Sequence, residues 1–256
     1  MKRGQFTLFI IIGIVVLLLV GVGIYYRGSI LDAVGISQTV SYPSEVQEVV
    51  AHVEECFATA SVNSVKAIAL GGGYLNLPRD VFTSNDISIP YFLYDDQDLT
   101  ISQELMETEL GEYTEILMTK CLNIESFTEF DITEGDREYD ITVNADSIDF
   151  EMTYPMSVGI DETTIYNLPN TYDETVEARL GHALETAATI VAFDLGSDSI
   201  DYDFLLGLDM DNIELLPFNN DTIVYALEDT SAFEDGTSLT FMFAELFPII
   251  VEEEVE

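Results

Sequence analysis

The sequence predicts an α+β protein: an N-terminal transmembrane helix followed by one domain, in which an antiparallel sheet is packed by about three helices. Three observations predict this. Residues 6–26 form an apolar run without a charge. Three later stretches carry apolar residues at helical spacing. Between and after them, shorter stretches alternate apolar with polar at a period of two, as half-buried strands do.

Phe6 to Tyr26 is built from Ile, Val, Leu, Phe and Gly. At helical rise it spans about 30 Å, the thickness of a bilayer's hydrocarbon core. The run exceeds a secretory signal's apolar region and lacks an Ala-x-Ala site, so an uncleaved anchor is expected. Tyr25 and Tyr26 fall at the expected interface. Lys2 and Arg3 precede the span and only Arg27 follows closely. The positive-inside rule therefore places residues 1–5 in the cytoplasm and the domain outside. Residues 27–43 read as a connector, 44–251 as the extracellular α+β domain and 252–256 as an acidic tail.

Ser44 to Leu70 reads as a helix, with Val46, Val49, Val50, Val53, Phe57 and Ala60 on one stripe. Gly71-Gly72-Gly73 stops it; no Lys-Ser or Lys-Thr follows, so it is a terminator and not a phosphate loop. Ile87 to Tyr94 is β-prone, with Pro90 marking an edge or bend. Thr100 to Leu122 is a second helix with Leu105, Met106, Leu110, Tyr113, Ile116, Leu117 and Cys121 inward. Glu104, Glu107, Glu112 and Glu115 lie on the opposite side. Tyr139 to Val143 and Ile148 to Met152 alternate around a turn at Asn144 to Ser147. Tyr154 to Val158 and Thr163 to Leu168 extend that meander. Asp173 to Phe193 returns to helix, and Ile213 to Leu216, Thr222 to Leu227 and Leu239 to Phe247 close the chain as strands. The last is apolar on both faces and belongs in the interior.

Forty-eight acidic residues stand against eight basic ones, a net charge of −40. After Arg27 only five basic residues remain against every acid, a net charge of −43. Such a chain cannot replace counterions on phosphate, which excludes nucleic acid as a partner. Yet 48% of residues are hydrophobic, enough for a core. Like charges at this density repel in dilute buffer, and molar salt screens them. Acid excess with three lysines is the composition of brine-adapted proteins. A calcium-loaded surface is the competing explanation, but no Asp-x-Asp-x-Asp-Gly loop is present.

Lys2-Arg3-Gly4-Gln5 followed by the apolar span resembles the class III signal of archaeal type IV pilins. The resemblance implies cleavage between Gly4 and Gln5 and packing of the apolar helix in a filament core. Phe9 stands where that family often has Glu. A longer series is similar to uncharacterised single-pass proteins of DPANN archaea: Lys2 to Gln5, Val53-Glu54-Glu55-Cys56, Gly71 to Tyr74, Ile89 to Tyr94, Lys120-Cys121-Leu122 and Asp149 to Pro155. That likeness implies anchoring and a single domain, with no activity attached.

Two cysteines, Cys56 and Cys121, read as a disulfide if the domain is outside the cell; buried thiols are the alternative. His52-x-x-Glu55 and His182-x-x-Glu185 each place two metal-ligand types on one helix face. With acids so frequent, both pairs read first as solvated positions, and no metal or other cofactor is expected. Tyr74, Tyr91, Phe92 and Tyr94 are a sugar- or protein-binding surface or, more simply, core. Asn220-Asp221-Thr222 is a glycosylation sequon. No nucleophile elbow or other convergent catalytic set is present. The expectation is a non-enzymatic surface protein whose partners are the bilayer through residues 6–26 and either itself, in a filament, or a neighbouring cell. An anchored metal-dependent hydrolase or ligand-binding protein is the alternative.

Overall fold

The computed structural model describes residues 42–84, 87–161, 163–197, 200–218, 221–230, 233 and 236–246. A unit boundary falls between Pro43 and Ser44, and the fold belongs to the unit Ser44–Glu256. The anchor at 6–26 and the tail at 252–256 lie outside the described residues. Among the described residues, no helix is long and apolar enough to cross a membrane.

Helix α1, Ser44–Leu70, buries Val46, Val49, Val53, Phe57, Ala60, Val65 and Ile68 along one side. The glycines end it as expected. Gly72 and Gly73 adopt positive φ (60° and 88°), and the Gly73 amide donates back to the Ile68 carbonyl at 2.8 Å. A β-carbon on Gly72 would sit 2.6 Å from the Met242 carbonyl oxygen, so the helix end is also pressed against the sheet.

Short strands β1 (Val81–Ser84), β2 (Ile87–Tyr94) and β3 (Gln97–Asp98) lead to α2, Gln103–Leu122. Its start is later than the expected Thr100, because the Ser102 side chain caps the Leu105 amide. Its inward face is also turned. Met106, Leu110, Thr114, Met118 and Leu122 are buried, whereas Leu105 and Ile116 are exposed. The rotation places a polar residue in the α1–α2 seam, where the Thr114 and Ser64 hydroxyls lie 3.1 Å apart with neither exposed.

Beyond a 3₁₀ turn at Ile124–Ser126, the chain forms β4 (Asp131–Glu134), β5 (Glu138–Val143), β6 (Ile148–Thr153), β7 (Met156–Gly159), β8 (Ile165–Asn167) and β9 (Thr171–Val176). These make two small antiparallel sheets, ordered β4-β7-β8 and β5-β6-β9. The β5–β6 hairpin matches the expected alternation, with Ile141, Val143, Ile148, Phe150 and Met152 buried. Strand β9 corrects the helix expected from Asp173. Thr171 to Val176 pairs along its whole length with β6, and its β-branched Thr171, Thr175 and Val176 suit that role. Helix α3 begins only at Leu180 and runs to Asp194.

After the single-turn helix α4 (Tyr202–Leu205), strands β10 (Asn212–Phe218), β11 (Thr222–Asp229) and β12 (Leu239–Leu246) complete the fold. They join β1 to β3 in a six-stranded sheet whose main path is β1-β2-β12-β11-β10. A single antiparallel sheet was expected; this one is mixed, and it is accompanied by the two smaller sheets. β12 pairs in parallel with β2, with Tyr91 opposite Ala244 and Leu93 opposite Glu245. Pro90, which donates no amide hydrogen bond, sits where β2 passes from its partner β1 to β12. β12 is interior, as its apolar faces predict, and Phe92, Tyr225 and Phe243 stack at its centre. α1 and α3 pack on β12.

Candidate functional site

Cys56 and Cys121 form a disulfide between α1 and the last turn of α2, with their α-carbons 5.7 Å apart. His52, one turn before Cys56, donates its Nε2–H to the Leu122 carbonyl at 3.0 Å, and its ring packs against Phe127 at 5.3 Å. The histidine therefore braces the same helix end that the bridge ties down. His182 does comparable work at the start of α3, where its Nε2 donates to the Asp209 carbonyl at 2.7 Å. Arg179 reaches the same carbonyl and the Asp209 carboxylate at 3.0 and 2.9 Å. Glu55 and Glu185 are exposed on their helices. Among the described residues, no three His, Cys, Asp or Glu side chains gather as a metal-holding group. His52 with Glu55 and His182 with Glu185 thus remain two pairs on separate helices. Gly4, Gln5 and the sequon residue Asn220 lie outside the described residues.

The aromatic candidates divide. Phe92 and Tyr91 are core, and the Tyr91 hydroxyl is within 3.0 Å of the Thr222 hydroxyl; Tyr74 and Tyr94 are half-buried at its margin.

Two concave regions meet along the seam between α1 and β9, sharing Ala58 and Glu174. One, of about 500 Å³, has Lys66 and Phe233 on its wall, the ammonium 4.5 Å from the ring centroid. The other, of about 620 Å³, has Glu54, Glu55 and Asp173. Burial pushes the Glu174 carboxyl above its ordinary value. β9 is an edge strand of its sheet, so this seam offers a long concave surface beside a sheet edge. One half of the seam is acidic, and the other carries a cation beside an aromatic ring.

Two polar networks elsewhere escaped the sequence reading. Arg137 makes a bidentate pair with Glu115 (2.8 and 2.7 Å), and Tyr139 donates to the same carboxylate at 2.8 Å. Burial alone would raise the Glu115 carboxyl, but hydrogen bonds from Arg137, Tyr139 and Thr119 outweigh it and hold it below its ordinary value. Tyr154, under the Arg137 guanidinium, donates to Glu134. The other network is the buried trio Asp194, Tyr225 and Glu245, in which the Tyr225 hydroxyl donates to Asp194 at 2.9 Å. Its signal was available: Glu245 is the lone acid in a strand whose apolar faces marked it as interior.

Comparison with protein-family models, curated proteins and solved structures finds no match for the chain.

Proposed function

We propose that the chain is a membrane-anchored cell-surface protein of a halophilic archaeon, acting by contact and not by catalysis. Residues 6–26 hold it in the bilayer, and the acidic α+β domain faces outward. It serves in adhesion to a neighbouring cell or as a pilin-like filament subunit. The observation that carries this reading is the Cys56–Cys121 bridge, because such bonds persist in oxidising compartments and are rare in the cytosol. The positive residues ahead of the apolar run and the acid-rich exterior agree with it. The histidines support it as well, since each donates to a main-chain carbonyl in a bracing role. The partner's contact is assigned to the concave seam between α1 and β9.

Mass spectrometry of the native N-terminus in isolated membranes tests the reading and separates its two forms. A membrane-bound chain beginning at Gln5 supports the filament, since a pilin-like subunit needs the new amino group. One retaining Lys2 and Arg3 supports the anchored adhesin. Recovery of the chain in the soluble cytosolic fraction with free thiols overturns both.

A further inference from the structure

Glu245 interrupts the apolar run of β12 and is 0% exposed. Among the described residues, neither of its carboxyl oxygens has a hydrogen-bond partner. Its neighbours in register are apolar, Ile223 on β11 and Leu93 on β2. The titratable groups that act on it are Asp194, brought by α3 and 3% exposed, and Tyr225 of β11. Among the described residues no Lys, Arg or His ion pair reaches it. Asp194 accepts the Tyr225 hydroxyl. Two carboxylates removed from water, with no cation between them, cannot both ionise without a large penalty.

We propose that Glu245 carries its proton in the folded protein, and that this neutral acid is a latch, buried in the central strand β12 where α3 packs on it, which loosens when the proton leaves.

Burial first, and then the charge of Asp194, pushes the Glu245 carboxyl from 4.5 to about 9. Burial likewise keeps the Tyr225 hydroxyl protonated, which leaves it a donor to Asp194 throughout. The unfolded chain releases the Glu245 proton near 4.5, whereas the folded chain keeps it to about 9. The latch's contribution is therefore complete below 4.5, declines across the interval and is gone above about 9. Within that window the unfolding constant rises about tenfold per pH unit from this group alone.

The test uses the full-length chain in detergent at molar KCl. Infrared spectroscopy near neutral pH reads the proton directly, because ordinary acids are then ionised and a buried protonated carboxyl stands apart. The wild type is expected to show one such band, lost as the pH passes about 9. In Glu245→Gln the band disappears. Denaturation should show that variant gaining on the wild type by about tenfold per pH unit between 4.5 and about 9. Asp194→Asn, if folded, retains the band but loses it at lower pH, since the neighbouring charge is gone. A wild type with no protonated-acid band near neutrality overturns the proposal, even if neither variant folds. A Glu245→Gln stability difference that does not change with pH overturns it equally.

Discussion

Cys56, in the middle of α1, is bridged to Cys121, the penultimate residue of α2, across 65 positions of sequence. The bond closes a loop that holds the triple glycine, β1 to β3 and all but the last residue of α2. In the chain-entropy account, closing a loop of this length stabilises the fold by about 4 kcal/mol. Cys121→Ser, or reduction of the wild type, should lower the unfolding free energy by that amount, read from the shift in denaturation midpoint. A mixed α1–α2 seam that also holds Ser64 and Thr114 gives the helices a fixed register without the bond. The reduced protein is therefore expected to remain folded at molar salt, with native circular dichroism.

Glu109 gives a second prediction. It is 8% exposed, and one of its oxygens accepts the main-chain amides of Leu75 and Asn76 at 2.8 and 2.9 Å. It thereby secures the segment that follows the glycine stop. Glu109→Ala strands two donors, at a cost of about 2–3 kcal/mol, whereas Glu109→Gln keeps an acceptor and should cost about 1 kcal/mol. Equal losses for the two variants would show that the side chain's volume matters and its hydrogen bonds do not.

Arg137→Lys tests the bidentate pair with Glu115. An ammonium cannot reproduce the planar fork. Because Glu115 is 41% exposed, screening keeps the loss to about 1 kcal/mol. The folded Glu115 carboxyl is held below its ordinary value of 4.5. The pair's contribution is therefore present above that value and disappears as pH falls through the lower, folded one. Urea titrations of wild type and variant should converge in acid and diverge at neutral pH.

These networks also mark where sequence reading stopped. Period and punctuation made α1, the β5–β6 hairpin and β12 legible, because each is decided by local apolar spacing and turn residues. Strand β9 was not, since Asp173 to Val176 continues smoothly into helical spacing and only its pairing with β6 decides otherwise. The parallel pairing of β2 with β12 joins residues about 150 positions apart and leaves no local trace. In α2, apolar Leu105 and Ile116 outranked Thr114 on hydrophobicity, yet Thr114 is buried because Ser64 meets it across the seam. Of the candidate residues, the cysteines were paired correctly from compartment logic. Tertiary contacts alone reveal that His52 braces the end of α2, that His182 braces the turn at Asp209, and that Glu245 is buried.

Salt dependence follows from the charge. With −43 spread after Arg27, repulsion acts over about 10 Å in 0.1 M salt and about 3 Å at 1 M. The melting temperature should rise steeply with KCl and the folding transition should lose cooperativity in dilute buffer. A melting temperature indifferent to KCl would assign the acid excess another cause.

The outward orientation of the domain is the central claim, and its lysines allow a direct measurement. After the apolar run the only lysines are Lys66 and Lys120, and Lys120 is exposed on α2. Intact cells kept in brine are treated with a membrane-impermeant amine reagent, and the labelled peptides are quantified by mass spectrometry against lysed cells. The account predicts that Lys120 is labelled in intact cells to the same extent as after lysis. Protection of Lys120 in intact cells, with full labelling after lysis, would place the domain inside and contradict it.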